Sequence, residues 1–248
     1  MLKPLLRFLT TSRNNHIDPA RVAPSRNLLG ILWAGAAIGV FTALFQNVRK
    51  GTTAELDAVI THKVQIEGVR HSWFDRTMHV VSWPGFPPQS RTLPPAIAAV
   101  LWLRGYRLEA VFQLAAWGTG GVSSVFKRIV KRERPGPKFP HLNVVPANIG
   151  GTSFPSGHVI IYTGVYGFLA YLGTLWIETR SIRRVLVGGL TALVALVGTS
   201  RVYLGHHWFT DTMASYLLGT TYLVGLTTLY RKVKRMSLPR RDVPDTFA

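Results

Sequence analysis

Three short stretches of the chain hold residue types whose spacing could do chemistry. In the first, Lys127 and Arg134 lie seven positions apart and Pro135 follows. Seven positions is nearly two helical turns, so a helix continuing to the proline would turn both cations to one side. A solvated basic run snorkelling at a membrane surface would have the same composition. The second is Phe154-Pro155-Ser156-Gly157-His158. A Pro-Ser-Gly turn opening a helix offers free backbone N–H groups and the positive end of the macrodipole, and glycine admits a ligand close to the backbone. Ser156 could equally serve as an N-cap, and His158 as an interfacial histidine. The third runs from Ser200 and Arg201 through His206 and His207 to Asp211. His207 and Asp211 are four apart, so on one helical face the carboxylate would accept from one ring nitrogen and leave the other as a nucleophilic lone pair. A purely structural histidine–aspartate hydrogen bond is the alternative.

These stretches need elements to hold them, and composition says what kind. The 248 residues carry 29 Lys and Arg against 11 Asp and Glu, a net charge of +18, yet 47% are hydrophobic and only 16% charged. Mean hydropathy is +0.19. The apolar content excludes a disordered basic tail. No cysteine is present, which removes disulfide frameworks, thiol nucleophiles and thiolate metal sites. The charge is segregated: uncharged runs at 28–48, 110–126, 159–177, 185–200 and 212–230 alternate with basic clusters. At about 1.5 Å per residue these approach the roughly 30 Å of a hydrocarbon core. A shorter run at 92–103 must join two of them across the same membrane. The expected fold is therefore all-α: a polytopic membrane protein of six transmembrane helices in a bundle. Buried helices of a large soluble protein would also be apolar, but these runs exceed what a soluble domain of this size can bury.

The expected organisation is a basic leader (1–27), a membrane domain (28–235) and a tail (236–248). The leader carries Lys3, Arg7, Arg13, Arg21 and Arg26 against Asp18, which would hold the N-terminus in the cytoplasm. Acid-poor, arginine-containing leaders also resemble organelle transit peptides. Between the first two spans, Leu56, Val59, Ile60 and Val64 recur at helical spacing. This predicts an amphipathic helix, lying in the headgroup region or packed over the bundle. Trp73, Trp83, Trp102 and Trp208 fit an interfacial belt, and 83–88 reads as an irregular loop.

With six spans, all three chemical clusters emerge on one side of the membrane. Together they supply cations, backbone donors, a carboxylate-oriented imidazole and a second imidazole. Those are the requirements of phosphoryl transfer: charge neutralisation on equatorial oxygens, an in-line nucleophile, and an acid for the leaving oxygen. In this order and spacing, Lys127-x6-Arg134-Pro135, Pro155-Ser156-Gly157-His158 and Ser200-Arg201-x5-His207-x3-Asp211 resemble the three signatures of the type 2 phosphatidic acid phosphatase (PAP2) superfamily. That superfamily includes lipid phosphatases, glucose-6-phosphatase and vanadium haloperoxidases, and the apolar runs are similar to its membrane branch.

The resemblance implies a role for each position. Lys127, Arg134, Ser156, Gly157 and Arg201 would bind the phosphate oxygens. His207 would attack phosphorus to form a phosphohistidine, Asp211 would orient its ring, and His158 would protonate the leaving group. His206 breaks both spacings and is a bystander. No metal and no cofactor are implied. The expected substrate is a lipid phosphate: phosphatidate, phosphatidylglycerol phosphate or a polyprenyl pyrophosphate. Transfer to a lipid acceptor and non-catalytic anion binding are the alternatives. The partners expected are membrane lipids; nucleic acid is not expected, because no soluble basic domain accompanies the charge. The expected place is a bacterial plasma membrane with both termini cytoplasmic and the site on the extracytoplasmic face, an organelle membrane being the alternative.

Overall fold

The computed structural model describes residues 28–136, 139–147 and 149–237. The basic leader and the end of the tail lie outside them. Among the described residues the fold is all-helical, without strands. The helices are α1 (Leu28–Lys50), α2 (Ala54–Arg70), α3 (Ser72–Ser82), α4 (Gln89–Leu103), α5 (Arg107–Trp117), α6 (Thr119–Val130), α7 (Gly157–Trp176), α8 (Arg180–Tyr203) and α9 (Phe209–Ser237). A 3-10 turn, Trp83–Gly85, stands where the sequence reads as an irregular loop.

Among the described residues three helices have the length and apolarity to cross a bilayer: α1, α7 and α8. Two of them turn apolar residues outward, with Leu29 82% and Val185 72% exposed, a surface that suits lipid and not water. The expected second span coincides with α4, which at 15 residues covers roughly 22 Å. The third is two helices broken at Gly118.

α7 is the central element. On one side Phe168 and Leu172 pack with Leu108 and Phe112 of α5 and Tyr230 of α9. On the other, Val159, Tyr162 and Val165 meet Val81 of α3 and Val197 of α8. At Gly164 a Cβ would overlap the Ala116 carbonyl and Thr119, so the missing side chain lets α7 approach the α5–α6 break. Phe41 of α1 closes a third cluster with Phe154 and Ala214, its ring 4.9 Å from that of Phe126. This packing fixes the ends of α6, α7, α8 and α9, and the three sequence clusters sit there.

Two expectations change. α2 forms, but Leu56 (53%) and Val59 (47%) face outward while Asp57, Thr61 and Gln65 are buried. The helix presents a polar stripe to the protein because there are polar partners to meet. Trp208 is buried, not interfacial: its indole N–H donates to the Glu133 carbonyl at 2.9 Å.

Candidate active site

α6 stops before the proline. Lys131 takes a left-handed conformation (φ +50°) after Val130, so no continuous helix links Lys127 to Arg134. The two cations meet by another route, because the chain beyond α6 is extended and folds back over the α6 end. Lys127 Nζ donates to the Thr152 carbonyl, and Arg134 Nη2 reaches the same oxygen at 3.3 Å. Arg134 also donates to the carbonyls of Gly151 (3.3 Å) and His206 (2.6 Å). Burial lowers the Arg134 pKa from its ordinary value.

Ser156 caps α7, its hydroxyl accepting from Val159 N–H at 3.5 Å. It is fully buried, and its backbone N–H donates to the Asp211 carbonyl at 3.3 Å, which ties the α7 start to α9. His158 follows in the first turn of α7. Its Nε2 is buried with no hydrogen-bond partner among the described residues. Its ring stands edge-on to Phe86 at 5.2 Å and packs against Gly85.

His207 precedes α9, so it does not share a helical face with Asp211 as the spacing suggests. Asp211 instead closes the first turn, accepting the Trp208 N–H on Oδ2 at 2.9 Å. This still places Oδ2 3.5 Å from His207 Nδ1, long for a hydrogen bond but facing it. The other ring nitrogen, Nε2, lies 3.0 Å from Arg134 Nη1. Burial, then the charges of Arg134, Arg201 and Lys127, hold the imidazole pKa well below its ordinary 6.5. At neutral pH the ring is uncharged, and a guanidinium N–H pointing at Nε2 selects the tautomer with its lone pair there. His206 Nε2 pairs instead with the Val145 carbonyl at 2.7 Å.

Arg201 is fully buried. Nη1 donates to Ser82 Oγ at 2.6 Å and the guanidinium lies 4.8 Å from the Phe86 ring centroid, while Nε and Nη2 have no hydrogen-bond partner among the described residues. Buried cationic donors without acceptors are costly unless an anion arrives to take them.

A cleft of about 240 Å³ collects Lys127, Arg134, Gly157, His158 and His207 together with Ser90 and Arg91. Asp211, Arg201 and Ser156 do not line it. Among the described residues no group of three or more His, Asp or Glu is arranged to hold a metal. Sequence reasoning missed the 82–91 segment, which contributes Ser82, Phe86 and Arg91, and missed Arg132, whose Nη1 donates to Asp211 Oδ1 at 2.7 Å. The excess of arginine in the first cluster was the one signal for Arg132.

A family model described as the PAP2 superfamily matches residues 108–235, more than half of the chain. The chain belongs to the PAP2 superfamily. It is similar to phosphatidylglycerophosphatase B of Bacillus subtilis, 28% identical over 169 residues that cover 67% of this chain and 80% of that one. In fold it is similar to the crystal structure of a transmembrane PAP2-type phosphatidylglycerolphosphate phosphatase from Bacillus subtilis, with a TM-score of 0.65 and 22% identity. That likeness covers 84% of this chain and 98% of the other. The PAP2 match spans all three clusters but begins after α4, so α2 and the 82–91 segment, which reach the site, lie outside it.

Proposed function

We propose that this PAP2-type phosphatase removes the terminal phosphate from a membrane lipid phosphate through a phosphohistidine at His207. The observation that carries the proposal is the pairing at one imidazole: Arg134 Nη1 at Nε2 and the Asp211 carboxylate at Nδ1. Lys127, Arg134 and the Gly157 N–H hold the phosphate oxygens from the cleft, with Ser156 and Arg201 supporting from behind. The Nε2 lone pair attacks phosphorus and the bond to the lipid oxygen breaks. His158 gives its proton to that oxygen, leaving the alcohol, or the lipid monophosphate where the substrate is a pyrophosphate. Asp211 offsets the positive charge on the phosphorylated ring. His158, now basic, takes a proton from water, whose oxygen attacks phosphorus; the N–P bond breaks, inorganic phosphate leaves, and both rings return to their starting state. No metal enters the cycle.

Phosphatidylglycerol phosphate is the first choice of substrate, on the names of the relatives; phosphatidate and polyprenyl pyrophosphate share its chemistry. The protein is an integral membrane protein, and six spans are supported by the apolar runs: α1, α4, α5 with α6, α7, α8 and α9. α2, with its apolar side outward, would lie at the headgroups. Both termini would be cytoplasmic and the cleft extracytoplasmic.

The test is phosphate release by protein purified in detergent, with EDTA present, from each of the three lipids. His207→Ala is expected to abolish release, and an acid-labile phosphoenzyme formed by the parent protein should be absent from it. Undiminished release by His207→Ala would reject the nucleophile. Transfer to an added lipid without release would make the protein a phosphotransferase. Because the chain has no cysteine, single introductions report sidedness. His141→Cys should react with an impermeant reagent in intact cells, and Arg104→Cys only after permeabilisation.

A further inference from the structure

α2 buries its polar stripe for a reason visible at Asp57. This carboxylate is fully buried, and both oxygens are committed. Oδ1 accepts the Thr210 N–H at 2.9 Å, at the start of α9, while Oδ2 accepts the Thr210 hydroxyl at 2.7 Å and Arg132 Nη2 at 2.6 Å. The same guanidinium reaches on: Nη1 donates to Asp211 Oδ1 at 2.7 Å and to Thr210 Oγ1 at 2.7 Å, and Nη2 donates to Thr53 Oγ1 at 3.2 Å. It lies 5.7 Å from the Trp208 ring centroid. One arginine thus bridges two buried carboxylates, one from α2 and one from α9.

Resting on the reading of His207 as nucleophile, we infer that Asp57 and Arg132 are positioning residues, a carboxylate–guanidinium–carboxylate clamp that fixes Asp211 against the Nδ1 side of His207. Neither residue lines the cleft that holds Lys127, His158 and His207, so neither touches the phosphate. The clamp has a geometric and an electrostatic part. Geometrically, Oδ1 is pinned by Arg132 and Oδ2 by the Trp208 N–H, which leaves the carboxylate no freedom to turn away from Nδ1. Electrostatically, two carboxylates around one guanidinium leave a net negative charge, and it faces the ring that becomes cationic when Nε2 bonds to phosphorus. Without Asp57 the guanidinium would neutralise Asp211 fully, and less of its charge would remain for the imidazole. Asp57 lies outside the PAP2 match, so the clamp couples α2 to the family's shared core.

The test is steady-state and rapid-quench kinetics on the full chain in detergent, with Asp57→Asn, Arg132→Lys, Arg132→Met and His207→Ala side by side. Asp57→Asn is nearly isosteric and is expected to lower kcat on the order of tenfold, with KM within about twofold and slower phosphoenzyme formation. Arg132→Met should lose roughly a hundredfold or more, and Arg132→Lys should recover part of it. Should Arg132→Met fail to fold, Asp57→Asn with unchanged helical content and unfolding temperature still decides. Normal kcat in Asp57→Asn, or a rise in KM alone, overturns the clamp while a dead His207→Ala leaves the nucleophile standing. Full activity in His207→Ala overturns both.

Discussion

Arg134 Nη1 lies 3.0 Å from His207 Nε2, so the cation proposed to bind the phosphate holds the nitrogen proposed as nucleophile before substrate arrives. The same guanidinium spans the carbonyls of Gly151, Thr152 and His206. It is pre-oriented, and binding requires it only to exchange a ring nitrogen for a phosphate oxygen.

Arg134→Lys should therefore fail to substitute. An ammonium cannot serve a fork of carbonyls and keep a donor at Nε2, so kcat/KM is expected to fall by roughly a hundredfold to a thousandfold. Arg134→Ala should fall at least as far. Phosphate release at subsaturating lipid measures both, and a Lys variant within a few-fold of the parent protein would contradict the role.

The pH dependence follows from a lowered pKa at the proposed nucleophile. In the proposed cycle His207 acts as the neutral ring, and its pKa lies well below 6.5, so lowering the pH from 7.5 to 6.5 should not protonate it or reduce kcat/KM through it. Initial rates at subsaturating lipid across that range measure this, and an acid limb that disappears only when His207 is replaced would contradict the neutral, buried ring.

Gly85 sets the position of His158. A Cβ there would overlap Cδ2 of the ring and lie 2.8 Å from Nε2. The helical first turn of α7 leaves His158 little room to retreat, because Phe86 stands on the ring as well. Gly85→Ala should thus displace the acid while leaving the nucleophile, and kcat on a lipid substrate should drop by about a hundredfold. An aryl phosphate such as p-nitrophenyl phosphate, whose leaving oxygen needs no proton, should lose far less. His158→Ala should show the same split between substrates; equal losses on both would remove the general-acid assignment.

The sequence carried the residues of the site better than it carried their supports. Lys127, Gly157, His158 and His207 line one cleft because each sits at or beside a helix end, with Arg134 joining them from the chain beyond α6, and helix ends were legible from the charged breaks between apolar runs. The way Lys127 and Arg134 meet was not legible. It depends on the left-handed turn at Lys131 and on the return of the chain at Thr152, a long-range contact with no local signature. The inward stripe of α2 was hidden for the same reason: Leu56 and Val59 dominate the helical pattern, and only the partner Arg132 shows why Asp57 is the buried side. Ser82 and Phe86 had no motif at all, since they act on Arg201 through packing of one segment on another.

Far from the cleft, near the end of α9, Lys234 Nζ pairs with Glu109 Oε1 at 2.6 Å, and the Tyr230 hydroxyl donates to the same oxygen at 2.8 Å. All three side chains are fully buried. Removing one charge leaves the other buried and uncompensated, so Lys234→Met should destabilise the fold by about 3–5 kcal/mol, and Glu109→Gln by a comparable amount. Replacing both, as Glu109→Leu with Lys234→Met, should restore most of that loss, because Tyr230, bonded to the same carboxylate, belongs to the apolar cluster of Leu108, Phe112 and Phe168. Thermal unfolding in detergent measures the shifts. Activity per folded molecule should not change in any of the three, since the pair shares no residue with the cleft. A double variant less stable than either single one would mean that the pair stabilises the bundle beyond satisfying itself.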